Sequence, residues 1–253
     1  MIRFENVVKV LGGRAVLDGV SFEVQRGETF VIVGPSGAGK SVTLKHMVRL
    51  LTPDEGRVFV GETCVSEATG RDLEQIRTRF GYLFQGGALL AWLSMAENVA
   101  LPLREKTNMS EDEIRARVME MLRLVGLEEH ADKMPDELSG GMRKRAALAR
   151  AIIRQPEIVL YDEPTSGLDP VTSRTIDSLI ERLKREMGVT SVVVTHDLHS
   201  ALSIGTRIAM LYEGRISELA TPETFVASQR EEVRSFLDSQ YITRRGAWER
   251  NVP

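Results

Sequence analysis

Apolar positions fall along this chain in two rhythms, and the change from one to the other is the first statement of its fold. The run Ile2-Arg3-Phe4-Glu5-Asn6-Val7-Val8 reads as a strand. With turn signals at Gly12-Gly13 and Arg26-Gly27, the chain up to Gly27 predicts short antiparallel strands. From Thr29 onward, short apolar runs at residues 29–33, 80–84, 157–161 and 191–195 alternate with helical segments, the mark of a parallel sheet joined by crossovers. One helix is fully spelled out. Ser110-Glu111-Asp112-Glu113 is a capping box, Ile114, Val118, Met121, Leu122 and Val125 recur at helical spacing, and Gly126 closes the helix. It predicts an inserted helical subdomain over about residues 86–156. Past Pro222 a helix-like segment runs through Leu237, followed by a polar tail with Tyr241, Arg244, Arg245 and Trp248, which orders only where it docks.

Chemistry enters at the first of these strand ends. Gly34-Pro35-Ser36-Gly37-Ala38-Gly39-Lys40-Ser41 fits the spacing G-x-x-x-x-G-K-[ST] between the apolar run at 29–33 and a helical-looking Leu44-Lys45-His46-Met47. Three glycines let the backbone wrap close to a polyphosphate, with N–H groups pointing inward where a Cβ would collide. A helix beginning near Gly39 adds the partial positive charge of its N-terminus. Lys40 then reaches the outer phosphates, and the Ser41 hydroxyl is a ligand for the Mg²⁺ that accompanies a nucleotide. The competing reading is a Gly-rich turn with a chance Lys-Ser. A second strand end carries acid: the run 157–161 finishes in Asp162-Glu163. At the end of a parallel strand these carboxylates face the crevice where such sheets bind ligands. Asp162 is placed to hold a water in the Mg²⁺ shell, and Glu163 to polarise the water that attacks the γ-phosphate.

Between the two lies Leu138-Ser139-Gly140-Gly141-Met142, with Arg143-Lys144-Arg145-Ala146-Ala147-Leu148-Ala149-Arg150-Ala151 behind it. Ser139 is a good N-cap, and the paired glycines leave the first helical N–H groups uncovered for an anion. The basic triplet is most simply a solvated helix face. Leu-Ser-Gly-Gly ahead of a basic helix, shortly before an Asp-Glu strand, resembles the signature of ABC-type ATPases, and the likeness covers about residues 2–222.

That resemblance implies an α/β fold: a P-loop NTPase (RecA-like) parallel sheet core, an N-terminal antiparallel β subdomain and the inserted α-helical subdomain, within an ATPase domain of residues 1–222, with 223–253 as C-terminal helix and tail. It implies further roles. Gln85 looks like the glutamine that bridges Mg²⁺ and a transmembrane partner, Ser166-Gly167-Leu168-Asp169 like the loop that crosses a dimer interface, and His196 like the switch histidine on the γ-phosphate. A lone His after a strand is usually a polar cap and a lone Gln usually nothing; their value lies in order and spacing. In the family two copies lie head to tail, so Ser139, Gly140, Gly141 and Met142 of one chain close on the ATP held by the other. One position departs from the pattern. Where the family places an aromatic residue to stack on adenine, this chain has Leu11.

Two stretches are similar to the ABC ATPases that serve MCE-type lipid-binding proteins, the Mla-like phospholipid systems. They are residues 39–46, with Val42 where most ABC ATPases have Thr, and Phe84-Gln85-Gly86-Gly87-Ala88-Leu89-Leu90; Met142 in the usual place of Gln points the same way. The implied partners are a second copy of the chain, a transmembrane permease received near Ala88-Leu89-Leu90-Ala91-Trp92, and an MCE-type protein. For Leu89, Leu90 and Trp92 ordinary core packing is the competing reading.

Composition narrows the alternatives. A chain of 253 residues carries formal charge −3, which gives no nucleic-acid footprint. The only cysteine, Cys64, cannot form an internal disulfide, as suits a reducing cytosol. No apolar run approaches the roughly 20 residues that cross a bilayer, and Met1 leading straight into the first strand gives the expectation of no leader. The expectation is a peripheral protein on the cytoplasmic face of the bacterial inner membrane, attached through partners. Import of a small polar solute and a soluble ABC ATPase of iron–sulfur assembly remain as alternatives. An ABC protein acting on DNA or the ribosome would need a coiled-coil insertion or a second ATPase domain, and neither is present in the sequence.

Overall fold

A computed structural model describes residues 1–242; Arg244, Arg245 and Trp248 of the tail lie outside the described residues. In chain order the elements are β1 (Ile2–Leu11), β2 (Arg14–Val24), β3 (Thr29–Val33), α1 (Lys40–Met47), β4 (Glu55–Val60), β5 (Thr63–Cys64), α2 (Gly70–Thr78), β6 (Phe80–Leu83), α3 (Met95–Lys106), α4 (Glu111–Leu124), α5 (Gly140–Ile152), β7 (Ile158–Asp162), α6 (Pro170–Met187), β8 (Thr190–Thr195), α7 (Leu198–Ile204), β9 (Arg207–Tyr212), β10 (Arg215–Ala220), α8 (Pro222–Val226) and α9 (Glu231–Ser239). They form two compact units: Met1–Arg77 with the chain from Val192 onward, and Thr78–Ser191.

The first unit opens with an antiparallel sheet in the order β2-β1-β4-β5. Its strands are not short: β1 and β2 run ten and eleven residues. The sequence breaks at Glu5-Asn6, but the backbone absorbs the break as a bulge with Asn6 at φ 48°, and register shifts between Phe4 and Val7. The Ser21 hydroxyl accepts from Asn6 N–H and donates to Asn6 Oδ1, so the bulge is satisfied locally. Phe4 stacks on Phe22 and Phe22 on Phe30, at 4.5 and 5.1 Å between rings, which carries the apolar core of this sheet onto β3. Every residue of β3 is buried; it pairs in parallel with β9, and β9 pairs antiparallel with β10. The helix-like segment past Pro222 is two helices. α9 docks through buried Val233 and Leu237, followed by buried Ile242.

In the second unit β6 and β7 pair in parallel, from Phe80 beside Ile158 to Leu83 beside Tyr161. The helices α3, α4 and α5 follow β6, and α4 has the capping box read from Ser110 and Glu113, with Gly126 at φ 66° just past its end. α5 presents a small-residue face, with Ala146, Ala147 and Ala149 fully buried. Gly81 of β6 lies so close to the Ala151 carbonyl that a Cβ there would collide with it, so the strand needs glycine at this position. Among the described residues no helix is long and apolar enough to cross a membrane.

Candidate functional site

In the first unit the phosphate loop leaves the buried end of β3 through left-handed backbone. Gly34, Gly37 and Gly39 have φ of 151°, 80° and 102°. A Cβ on Gly34 would overlap the Leu211 carbonyl, and one on Gly39 would lie 2.8 Å from the Val16 carbonyl, so both positions are closed to any side chain. Pro35, Ser36 and Gly37 are exposed and Ala38 half-buried. The first helical bond of α1 runs from Thr43 N–H to Gly39 O at 3.0 Å, so Lys40, Ser41 and Val42 form the first turn, at the positive end of the helix. Lys40 Nζ donates to Gly34 O at 2.9 Å and Pro35 O at 3.2 Å, so the ammonium lies across its own loop.

A cavity of about 460 Å³ adjoins this loop. Leu11, Arg14 and Val16 line it together with Ser36, Gly37 and Tyr212. Leu11 ends β1 and is 40% exposed. Tyr212 is the one aromatic residue among those lining the cavity, and sequence reasoning passed over it because it lies 201 positions beyond Leu11 by their numbers. His196, also in this unit, follows β8 and is exposed. Behind it Asp197 N–H donates to Thr195 Oγ1, and the Asp197 carboxylate caps α7 by accepting from His199 and Ser200 N–H.

The second unit holds the acidic pair. β7 is buried throughout and ends at Asp162, whose Oδ2 accepts from Tyr82 Oη at 3.4 Å. Burial, and then the Asp162 charge, push the Tyr82 phenol above its ordinary pKa, so it stays a donor. Glu163 is 7% exposed and adopts φ 50°, a left-handed backbone that costs a side-chain-bearing residue about 1–2 kcal/mol. What holds it is Lys144. From α5 its Nζ donates to Glu163 O at 3.0 Å, Ser166 O at 2.6 Å and Ser166 Oγ at 3.2 Å, and Ser166 Oγ itself donates to Glu163 O at 3.1 Å. Burial pushes the Lys144 ammonium down to about 8, with the Glu163 charge acting in the opposite sense. The basic triplet is therefore a solvated face only at Arg143, which is exposed. Lys144 is buried, Arg145 Nη1 donates to Val125 O and Gly126 O, and Arg143 Nη1 donates to Leu138 O; α5 lies against loops whose carbonyls need donors, a fact that residue types alone do not disclose.

The Leu-Ser-Gly-Gly segment and residues 166–169 come together in this unit. Ser139 caps α5 by accepting from Met142 N–H at 3.3 Å. A Cβ on Gly141 would overlap Thr172, and one on Gly140 would lie 3.4 Å from Leu168. Packing inside one chain thus disfavours a side chain at Gly141, whereas Gly140 has room for one. Gly167 turns at φ 73°, and Asp169 caps α6 by accepting from Val171 and Thr172 N–H; the Thr172 hydroxyl holds its carboxyl below the usual range. Gln85 is exposed after β6. Beyond it Arg150 donates to Gly87 O and Ala88 O at 2.7 Å each, and fully buried Asn98 accepts from Leu90 N–H and donates to the Leu90, Leu93 and Ser94 carbonyls. That scaffold leaves Trp92 72% exposed and Leu89 and Leu90 half-buried, so Trp92 is not core.

Ser41 in the first unit, and Gln85 and Asp162 in the second, carry hydroxyl, amide and carboxylate oxygens, the hard donors that Mg²⁺ takes, and in the first unit the backbone carbonyls of Leu211 and Val16 keep Gly34 and Gly39 free of side chains beside the phosphate loop. Among the described residues no three His, Cys, Asp or Glu gather into one group.

Known proteins agree with this geometry. Residues 17–166 match the family described as ABC transporter. The chain is 40% identical over 241 residues to the Mycobacterium leprae protein named "Probable ribonucleotide transport ATP-binding protein mkl", covering 95% of this chain and 70% of that one. It is 38% identical over 240 residues to the Haemophilus influenzae intermembrane phospholipid transport system ATP-binding protein MlaF, covering 95% and 91%. Among solved structures, the ATP-binding cassette MJ0796, dimeric and bound to ADP and Pi, superposes with a TM-score of 0.81 at 37% identity over 88% of this chain and 99% of that one. A P-loop cassette fold, an intact phosphate loop and an acidic strand end thus meet a family match over more than half the chain: this protein belongs to the ABC transporter family, as an ATP-binding subunit that hydrolyses ATP.

Proposed function

We propose that the chain is the motor of a transporter that moves phospholipids between membranes, working as a homodimer on the cytoplasmic face of a bacterial inner membrane with a permease and an MCE-type protein. The observation that carries the lipid reading is the match to MlaF along nearly all of both chains, 95% and 91%. Exposed Trp92, on the scaffold that Asn98 and Arg150 build after Gln85, supports a seat for the permease. Attachment through partners would keep the ATPase peripheral.

In this reading residues 34–41 wrap the phosphates of ATP with backbone N–H groups, and Lys40 turns from its loop carbonyls to the outer phosphates. The adenine enters the cavity beside Leu11, where Val16 and Leu11 cover it with aliphatic carbon and Tyr212 offers a π-face. Ser139, Gly140, Gly141 and Met142 of the second copy close on the same ATP, and residues 166–169 line the contact between copies. Glu163 takes a proton from the attacking water, and His196 donates toward the γ-phosphate. Mg²⁺, held by Ser41, Gln85 and a water on Asp162, would neutralise phosphate charge. ATP joins the copies and its hydrolysis parts them, a population shift that a permease converts into movement.

A second reading, import of a small polar solute, is favoured by the polar ribonucleotide in the name of mkl, which gives transport without its direction. Co-purification from detergent-solubilised membranes separates the two. A multi-span permease with an MCE-type protein and phospholipid is the expected result; a permease with a periplasmic solute-binding protein would sink the lipid reading, and soluble scaffold proteins alone would favour iron–sulfur assembly. Leu90→Asp should weaken permease recovery and spare ATP binding.

A further inference from the structure

The turn that carries His196 is held from the far end of the chain. Leu198 is the first residue of α7, so its N–H is among the donors a helix cannot satisfy by itself. The Asp197 cap serves His199 and Ser200 instead. Leu198 N–H donates to Gln240 Oε1 at 2.8 Å, and Gln240 Nε2 donates to His196 O at 2.5 Å. One side-chain amide therefore brackets the peptide segment 196–198.

The arm that presents this amide is fixed. Val233 and Leu237 of α9 are fully buried, Ile242 is 2% exposed, and Ile242 N–H closes back on Leu237 O at 3.1 Å, with Gln240 between them. The side chain is also chemically specific. The two bonds need one donor and one acceptor on a single planar group. Glutamate would present only acceptors and set a carboxylate against the His196 carbonyl, and leucine would leave both backbone groups without this partner. All of this lies outside residues 17–166 that match the family.

We propose that Gln240 is a positioning residue for His196, so that the seating of α9 sets the orientation of the switch histidine and with it the rate of hydrolysis. The proposal rests on the reading of His196 as the γ-phosphate contact. It makes the C-terminal helix a control point for the ATPase: whatever lifts α9 slows turnover without touching the phosphate loop.

The test measures steady-state ATPase against ATP concentration in the full-length chain for Gln240→Leu, Gln240→Glu, Val233→Asp and His196→Ala, with the unfolding midpoint of each. Displacing a catalytic group by a fraction of its reach costs roughly tenfold or more. Both Gln240 variants should therefore lose about tenfold in kcat, with KM for ATP within about twofold. Val233→Asp, which unseats α9, should lose as much, and adding Gln240→Leu to it should lose no more. If His196→Ala stops hydrolysis while Gln240→Leu and Gln240→Glu turn over normally, the positioning role is overturned and the histidine reading survives. Should His196→Ala hydrolyse at the normal rate, the histidine reading falls and takes the proposal with it. A lowered unfolding midpoint with unchanged kcat would make Gln240 a structural cap and nothing more.

Discussion

The phosphate loop and the loop after β7 both leave a buried strand through left-handed backbone, and they reach it by opposite means. At Gly34, Gly37 and Gly39 every positive φ falls on glycine, which enters that region without penalty. At Glu163 the same kind of backbone, φ 50°, carries a full side chain. In the proposed mechanism the difference follows from what each loop presents. A polyphosphate is cradled by main-chain N–H groups, so side chains there are an obstruction; activation of a water needs a carboxylate, so the strain must stay and be held. Lys144 and Ser166 hold it, each through the Glu163 carbonyl. A loop that works through its backbone can be written locally, whereas one that works through a side chain in strained backbone must be fastened from elsewhere.

The sharpest way to break this comparison is to separate strain from chemistry at Glu163. Glu163→Gln keeps the backbone cost and removes the proposed base: hydrolysis should fall by roughly 10²–10⁴-fold, while Mg-ATP should give a persistent dimer in size exclusion. Glu163→Gly should lose hydrolysis equally but unfold at higher urea, by about 0.5–1 kcal/mol, because the left-handed penalty is relieved and only part returns as unfolded-state entropy. Equal stability of the two variants would mean that Glu163 is not strained.

At the phosphate loop the opposite substitution applies. Gly39→Val puts a branched Cβ where φ is 102° and the Val16 carbonyl is 2.8 Å away. ATP affinity, titrated with a fluorescent analogue, should drop by about a hundredfold, close to 2.8 kcal/mol. Near-normal binding would show that the backbone path is not what makes the cradle.

Removing the fastening should have a smaller effect. Lys144→Met should lower kcat about tenfold and stability by about 1–3 kcal/mol, as the Glu163 and Ser166 carbonyls lose a donor. The pH profile gives it a signature. With Lys144 near 8 in the fold and near 10.4 unfolded, the unfolded chain binds more protons between those values, so the native protein gains stability as pH rises through that window and loses it as pH falls through about 8. Urea denaturation at several pH values should show this slope in the native sequence and a flatter one in Lys144→Met; equal slopes would remove the buried ammonium from the account.

The smallest effect belongs to the base cavity. Leu11→Tyr should tighten ATP binding, and Tyr212→Ala should weaken it, each by up to about tenfold, since aromatic stacking beyond area burial contributes about 0.5–1.5 kcal/mol. An unchanged Kd in both would place adenine against other residues.

The sequence by itself determined whatever depends on short-range spacing. The G-x-x-x-x-G-K-[ST] loop between strand and helix, the Ser110 and Ser139 caps and the apolar strand ending in Asp162-Glu163 all lie within a few residues of the groups they serve, so local chemistry spells them out. Glycine at 34 and 39 is legible for the same reason, although the carbonyls that demand it, from Leu211 and Val16, are not. Only the tertiary structure decided the partners of the charged and amide side chains. Arg143-Lys144-Arg145 looks like a solvated face until their donors are seen on the carbonyls of Leu138, Glu163, Ser166, Val125 and Gly126. Asn98 looks like any helix polar residue, and Gln240 like the end of a tail, yet each closes hydrogen bonds on a loop far in sequence from the phosphate-loop and Asp162-Glu163 motifs. Polar side chains with long reach find partners through space, and their identity is fixed by which backbone groups the fold leaves unpaired, a quantity that no linear spacing encodes.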